Sequence, residues 1–513
     1  MGAGMVRIWL FVVAIMGMPV CVLAQPLAFA PAISDGAVLQ RDAPIAIQGT
    51  AQPGARINVR LGAHARDVMA DQAGDWQADF LAMPAATGLE LTATNGSSTI
   101  HAGNLSAGDV FLCSGQSNMQ FSMDETALRR TERKLPIDSS IRLLTVPNAS
   151  ARVEQRDFAT AARWTNADDG SGDFSAVCLI AGREIASSQD VTVGLIDASV
   201  GGTPIESWQS YDGLKAAGEA EQVMAILDAF RADPEAAELQ YGAQLDALWI
   251  MPPPPGQPAG RPRVGYGNLF NAMIAPIGPM RFSGVIWYQG ENNANRSEPR
   301  ESYRRQLTAL LASWRARFGV DLPFVIVQLS PYGALSDQPV EHNWAEIREA
   351  QRIVALADPL AEMVTTVDVG ERLDIHPPMK KPVGVRAAAA LAYLRYGGSP
   401  EALGPRPLEA RLESDEVQIA MSGATGDLIA ATWGRPGPFM LCESAESGRQ
   451  CQFADAHIVE GGITVSVPEG LVPAIVRYCW AAAPICNVFD TAQRPLPAFE
   501  LPVKIEPKAR QET

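Results

Sequence analysis

Several residue types are scarce in this 513-residue chain, and each scarcity excludes something. Basic residues are outnumbered, 41 Lys and Arg against 57 Asp and Glu, for a formal net charge of −16. Nucleic acid and anionic membrane both require basic patches, so neither is expected as a partner. There are seven cysteines and five histidines, and no Cys–His spacing has the pattern of a zinc site. No metal or cofactor is therefore expected. No apolar run is long enough for a comfortable transmembrane helix, and no internal repeat is visible. What is present is ordinary globular material, 47% hydrophobic and 19% charged. A chain this long exceeds one compact core, so two or three domains are expected.

The N-terminus reads as an export signal. Arg7 supplies the positive region, Trp9 to Met18 an uncharged and mainly apolar run, and Val22-Leu23-Ala24 a cleavage site before Gln25. Residues 1–24 are expected to be removed and the remainder exported to periplasm or medium, with no membrane attachment. Cys21 lies before the cut and has no lipoprotein context. Export makes disulfides admissible. Cys442 with Cys451 and Cys479 with Cys486 are spaced to close small loops, whereas Cys113 and Cys178 suit buried thiols at least as well as a bridge.

Texture divides the rest. Residues 25–105 show short alternating stretches such as Ile57–Leu61 between turn signals, a small sandwich-like β module. From 106 to 400 the apolar runs Val110–Cys113, Ile141–Val146, Val191–Ile196, Val285–Tyr288, Phe324–Leu329 and Met363–Val367 have the β-branched character of strands buried on both faces. Between them Tyr303, Leu307, Leu310, Leu311, Trp314 and Phe318 mark one helical face, and Phe174–Ser188 and Trp344–Leu356 read as further helices. Alternation of this kind predicts an α/β domain with a parallel sheet and helices on both sides. A helical and Pro-rich insertion is expected at about 210–263, and a C-terminal β-rich region at 401–513.

Ligands on such sheets bind at the carboxyl ends of the strands, and four polar turns fall there. Gly115-Gln116-Ser117-Asn118 follows the first buried run; Gly115 permits a tight turn that exposes the Ser117 hydroxyl. By itself Ser117 reads equally as a helix cap. Gly201-Gly202-Thr203 follows the third run and offers backbone N–H groups to an oxyanion. Trp287-Tyr288-Gln289-Gly290-Glu291-Asn292 follows the fourth, with the Gln289 amide as a side-chain donor. Asp374-Ile375-His376-Pro377 follows the last. A serine nucleophile needs a base of near-neutral pKa. His64, His101 and His457 fall in the β regions, leaving His376, with His342 as its only rival. Asp374 is placed to orient the imidazole.

These blocks, Gly-Gln-Ser-Asn-Met, Gly-Gly-Thr, Trp-Tyr-Gln-Gly-Glu and Asp-Ile-His-Pro, resemble those of the sialate O-acetylesterase group within the SGNH (GDSL-like) hydrolases. The resemblance spans nearly the whole mature chain, from Val38-Leu39-Gln40-Arg41 to Arg477-Tyr478-Cys479-Trp480. It implies a flavodoxin-like three-layer α/β/α catalytic domain with flanking β modules. It implies Ser117 as nucleophile, His376 as base and Asp374 as third member, with an oxyanion hole from the N–H groups of Ser117 and Gly202 and the amide of Gln289. Gly201 and Glu291 are implied in substrate binding. One position departs: where the wider superfamily places Asp, three before the His, stands Leu373. Asp374 is two before, Asp368 is a fallback, and a Ser–His dyad is the other option.

The expected function is removal of O-acetyl groups from sugars by an exported serine esterase. The expected substrate is acetylated plant cell-wall carbohydrate such as xyloglucan or xylan, with O-acetylated sialic acid as the alternative. A carbohydrate-binding protein with a relic hydrolase domain is the more remote reading. Trp208, Trp287 and Trp344 lie near the motif turns and offer either sugar platforms or core filling.

Overall fold

The computed structural model describes residues 25–128, 138–168, 171–249, 265–432, 434–444 and 450–505. The export signal, Cys21 and the Pro-rich stretch 252–263 lie outside the described residues.

The centre of the molecule is a parallel sheet built from the expected runs: β1 (Thr99–Gly115), β2 (Asp138–Thr145), β3 (Val193–Ser199), β4 (Gly284–Tyr288), β5 (Phe324–Val327) and β6 (Ala361–Val364). Their spatial order is β2-β3-β1-β4-β5-β6, every neighbour parallel, with the short antiparallel strand Thr165–Ala167 beyond β2. With the outer strand β2 set aside, the remaining five follow the 2-1-3-4-5 order of flavodoxin-like sheets.

Strand residues alternate between two cores. Leu112, Val285, Trp287 and Ile326 pack on one face against α3 (Pro299–Phe318) and α4 (Asn343–Ala357). Phe111, Ile286, Tyr288 and Val325 pack on the other against α2 (Ala176–Gln189) and α5 (Lys380–Tyr396). Both faces being covered is why these strands read as unbroken apolar runs. The helical face expected over 303–318 is buried at every named position.

The N-terminal β module is not separate from this sheet. Its strands at Arg56–Leu61 and Ala86–Thr94 pair in series with β1, whose 17 residues run from the module to the turn before Ser117. The expected boundary at 105 therefore falls inside one strand. Val38–Gln40 pairs parallel with Ser106–Gly108 across it, and Arg41 grips the buried Asp109 at 3.0 and 3.1 Å.

The expected insertion is a helical cap over 211–249, centred on Phe230 against Trp249. The C-terminal region forms an eight-stranded sheet with its own core. It docks on the catalytic layer through Arg348, which is buried and donates to the carbonyls of Leu329, Ser330, Ala481 and Ala482. Cys113 and Cys178 form a disulfide, joining β1 to α2, as do Cys442 with Cys451 and Cys479 with Cys486. Burial alone had left the first pair open; β1 and α2 stack with their Cα atoms 5.9 Å apart, which is bridging distance.

Candidate active site

Ser117 lies where β1 ends, at the first position of the one-turn helix α1 (Ser117–Gln120). The turn before it is wedged between β3 and β4. The N–H of Gln116 donates to Tyr288 O at 3.0 Å and that of Val200 to Gly115 O at 3.1 Å. Gly115 holds φ +140°, and a Cβ there would stand 2.1 Å from the Tyr288 carbonyl oxygen. No other residue fits without moving β4. The consequence is a half-buried Ser117 whose hydroxyl projects from a fixed turn, with its own N–H unpaired among the described residues.

The glycine pair faces the same turn. Gly201 donates its N–H to Gln120 Oε1 at 2.8 Å. Gly202, at φ +75°, makes no hydrogen bond through its N–H among the described residues, while its carbonyl is held by Asn292 Nδ2 at 2.9 Å. Of the two glycines, Gly202 is the one with a donor to spare.

Gln289 requires a correction. Expected as the side-chain oxyanion donor, it is fully buried and turned inward. Its Nε2 donates to Asn293 Oδ1 at 2.8 Å, Thr203 O at 3.1 Å and Gln116 Oε1 at 3.2 Å, which uses both N–H bonds. Its main-chain carbonyl accepts from Tyr303 Oη and Gln351 Nε2. Gln289 thus ties three strand-end turns together from below. The amide at the surface of this turn belongs to Asn292, half-buried, with one N–H on Gly202 O and the other open.

His376 is half-buried on the loop between β6 and α5, with its ring 6.5 Å from that of Phe121, which follows α1. Asp374 is exposed and its carboxylate accepts from the main-chain N–H of His376 at 2.8 Å. The bond the structure shows between the two residues is to the backbone, where a separation of two closes an Asx-type turn. The fallback Asp368 is engaged in a bidentate pair with Arg386 at 2.7 and 2.6 Å. His342 is a helix cap, its Nδ1 accepting from Trp344 N, and burial beside Arg348 lowers its pKa.

Glu291 is corrected as well. It is 4% exposed and cannot meet a substrate. Its Oε1 accepts from Asn118 Nδ2 at 2.6 Å, and burial raises its pKa against the opposing pull of that bond and of Lys380. Lys380, also buried, donates to Asn118 Oδ1 at 2.5 Å and lies over the Phe121 ring. Burial pushes its ammonium down to about 7, opposed by Glu291, Asp374 and Glu125. Sequence reasoning missed Asn118, Lys380 and Asn292. Asn118 and Asn292 adjoin the motif residues, but only packing reveals which amides face in. Trp208 and Trp287 are wholly buried edge-to-face neighbours and Trp344 is nearly so; these three fill the core.

Residues 258–392 match the family described as carbohydrate esterase, sialic acid-specific acetylesterase. The chain is 29% identical over 428 residues to sialate O-acetylesterase from Rattus norvegicus, covering 76% of this chain and 77% of that protein. It is 29% identical over 406 residues to the Homo sapiens sialate O-acetylesterase, covering 72% and 71%. The crystal structure of a carbohydrate acetylesterase from Xanthomonas citri superposes with a TM-score of 0.78 at 26% identity, covering 93% of this chain and 99% of that one. The chain is a carboxylic ester hydrolase, with a carbohydrate-esterase fold and added β-rich regions. More narrowly, its resemblance to the sialate O-acetylesterase family, drawn above from four short motifs, is borne out.

Proposed function

We infer that the protein hydrolyses O-acetyl groups on carbohydrate with Ser117 as nucleophile and His376 as general base. The observation that carries this reading is the pair of N–H groups, on Ser117 and Gly202, that are unpaired among the described residues at the carboxyl edge of a parallel sheet, on the same edge as the His376 loop. The strand order supports an SGNH-type catalytic domain over about 106–400.

In the first step His376 takes the Ser117 proton as Oγ attacks the acetyl carbonyl carbon. The oxyanion receives the N–H groups of Ser117 and Gly202 and the open N–H of Asn292. Collapse breaks the ester bond, and His376 returns the proton to the departing sugar hydroxyl. Water, deprotonated by His376, then attacks the acetyl-enzyme and releases acetate, restoring the Ser117 hydroxyl. Each oxyanion donor is worth about 3 kcal/mol in such sites. Asp374 braces the main-chain N–H of His376 and so helps place the loop that carries the base.

O-acetylated sialic acid is the substrate that the named relatives favour. Acetylated xyloglucan or xylan is the second reading, favoured by the likeness across nearly the full chain to a carbohydrate acetylesterase described without reference to sialic acid. An export signal over 1–24 fits either; among the described residues no helix is long and apolar enough to cross a membrane. The deciding experiment is acetate release from O-acetylated sialic acid, xyloglucan and xylan, each with a Ser117→Ala control. Release that persists in Ser117→Ala overturns the assignment of the nucleophile.

A further inference from the structure

Two residues on opposite sides of the proposed chemistry, Ser117 and His376, come from loops that are distant in sequence. What fixes one against the other is a single buried amide. Asn118 directly follows Ser117, and its side chain is 1% exposed. One N–H of its Nδ2 meets the carbonyl of Ile375 at 2.9 Å and the other meets Glu291 Oε1 at 2.6 Å. Its Oδ1 accepts from Lys380 Nζ at 2.5 Å. The orientation of this amide is set by its surroundings: two acceptors on one side require nitrogen, and an ammonium on the other requires oxygen.

The Ile375 carbonyl belongs to the peptide bond whose N–H is that of His376. Asn118 therefore holds one edge of this peptide plane, and Asp374 holds the other through the His376 N–H at 2.8 Å. A planar peptide gripped on both edges leaves its Cα little freedom, so the position of the His376 Cα is set relative to the residue next to Ser117. Glu291 and Lys380 sit behind the amide, the one accepting from its Nδ2 and the other donating to its Oδ1. Phe121 closes the Lys380 side from solvent, with Nζ 4.6 Å from its ring centre, and stands beside the His376 ring.

We propose that Asn118, held between the buried Glu291 and Lys380, is the positioning residue that holds the His376 loop in register with Ser117. It touches no substrate and acts only through His376. This inference rests on the Ser117–His376 reading above.

The test is a double-mutant cycle on p-nitrophenyl acetate, whose activated leaving group keeps residual turnover measurable without the base. Asn118→Ala in the parent is expected to lower kcat on the order of 100-fold with KM nearly unchanged, the scale of a misplacement of about 1 Å. In a His376→Ala background the same substitution is expected to change kcat less than about threefold, because groups acting as one unit are non-additive. An equal loss in both backgrounds would mean general structural damage and overturns the proposal. If Asn118→Ala does not fold, the isosteric Asn118→Asp carries the same cycle, since it keeps the shape but turns an acceptor toward Ile375 O and Glu291. Should Ser117→Ala retain activity, the parent reading fails; should Ser117→Ala be dead and the cycle additive, only the role of Asn118 fails.

Discussion

Asp374 accepts a hydrogen bond from the main-chain N–H of His376 at 2.8 Å. If that bond is its role, an acceptor at the same place is enough and a negative charge is not needed. Asp374→Asn, which keeps Oδ1, is expected to retain kcat within about threefold, whereas Asp374→Ala, which removes the brace, loses about tenfold. Initial rates of acetate release decide it. A loss in Asp374→Asn as deep as that in His376→Ala would show that the carboxylate charge serves the imidazole after all.

Asn292 and Gln289 separate cleanly by what they are free to do. Asn292→Ala removes an open surface N–H and is expected to lower kcat by about 10²–10³ while leaving the thermal midpoint near that of the parent. Gln289→Ala strips a buried junction and leaves Gln116, Thr203 and Asn293 short of a donor. It is expected to cost about 1–3 kcal/mol of stability or more, visible as a lowered Tm. Paired kinetics and melting curves for the two variants check this; an inert Asn292→Ala removes the third oxyanion donor from the scheme.

Stability should carry a signature of Asp197, a buried carboxyl on β3 bonded to Ser199 Oγ at 2.6 Å. Burial raises its pKa to about 7, with the Ser199 bond opposing. Its folded pKa therefore exceeds its unfolded value of 3.8. The native state then holds a proton that the unfolded state gives up, so its contribution is full below pH 3.8 and is lost as pH rises through about 7. Asp197→Asn, neutral throughout, is expected to gain on the parent steadily between pH 4 and 7 and no further above about 8. Urea titrations at stepped pH measure the gap. A gap that is flat with pH contradicts the assignment.

The bridge between Cys113 and Cys178 closes a loop of 65 residues around the start of the catalytic sheet. By chain entropy, replacing both with Ala is expected to cost about 4 kcal/mol, read as a fall in the urea midpoint. An unchanged midpoint would show that the neighbouring contacts suffice. Activity per folded molecule should be nearly preserved, since neither sulfur reaches the turn at Ser117.

Much of this was legible in the chain because the physics was local. Two-sided burial makes β1, β4 and β5 read as plain apolar runs, and the face of Tyr303 to Phe318 repeats at helical spacing. The nucleophile turn was legible because Gly115 must be glycine. What failed was legible only in three dimensions. Gln289 and Asn292 are both amides in one short motif, and sequence cannot tell which turns inward. Glu291 lies in a polar-looking stretch, yet it is buried because Asn118 and Lys380 arrive from 173 and 89 residues away to meet it. Asp374 carries the right chemistry at the right distance for an imidazole, and a spacing of two residues also lets its carboxylate close on the backbone N–H of His376. The joining of the N-terminal module to the catalytic sheet was hidden for another reason: composition changes near residue 105 while the strand does not.

That last feature bears on how far this enzyme can be dissected. A strand of 17 residues is about 56 Å long at about 3.3 Å per residue, and Ser117 lies two residues beyond its end. A fragment beginning at 106 would start in mid-strand, lose the pairing with Val38–Gln40, and leave Asp109 buried without Arg41. The smallest independently folding catalytic unit must therefore include the leading β segment. The module cannot be exchanged as a detachable part, because the same strand that leaves it runs on to the turn at Ser117.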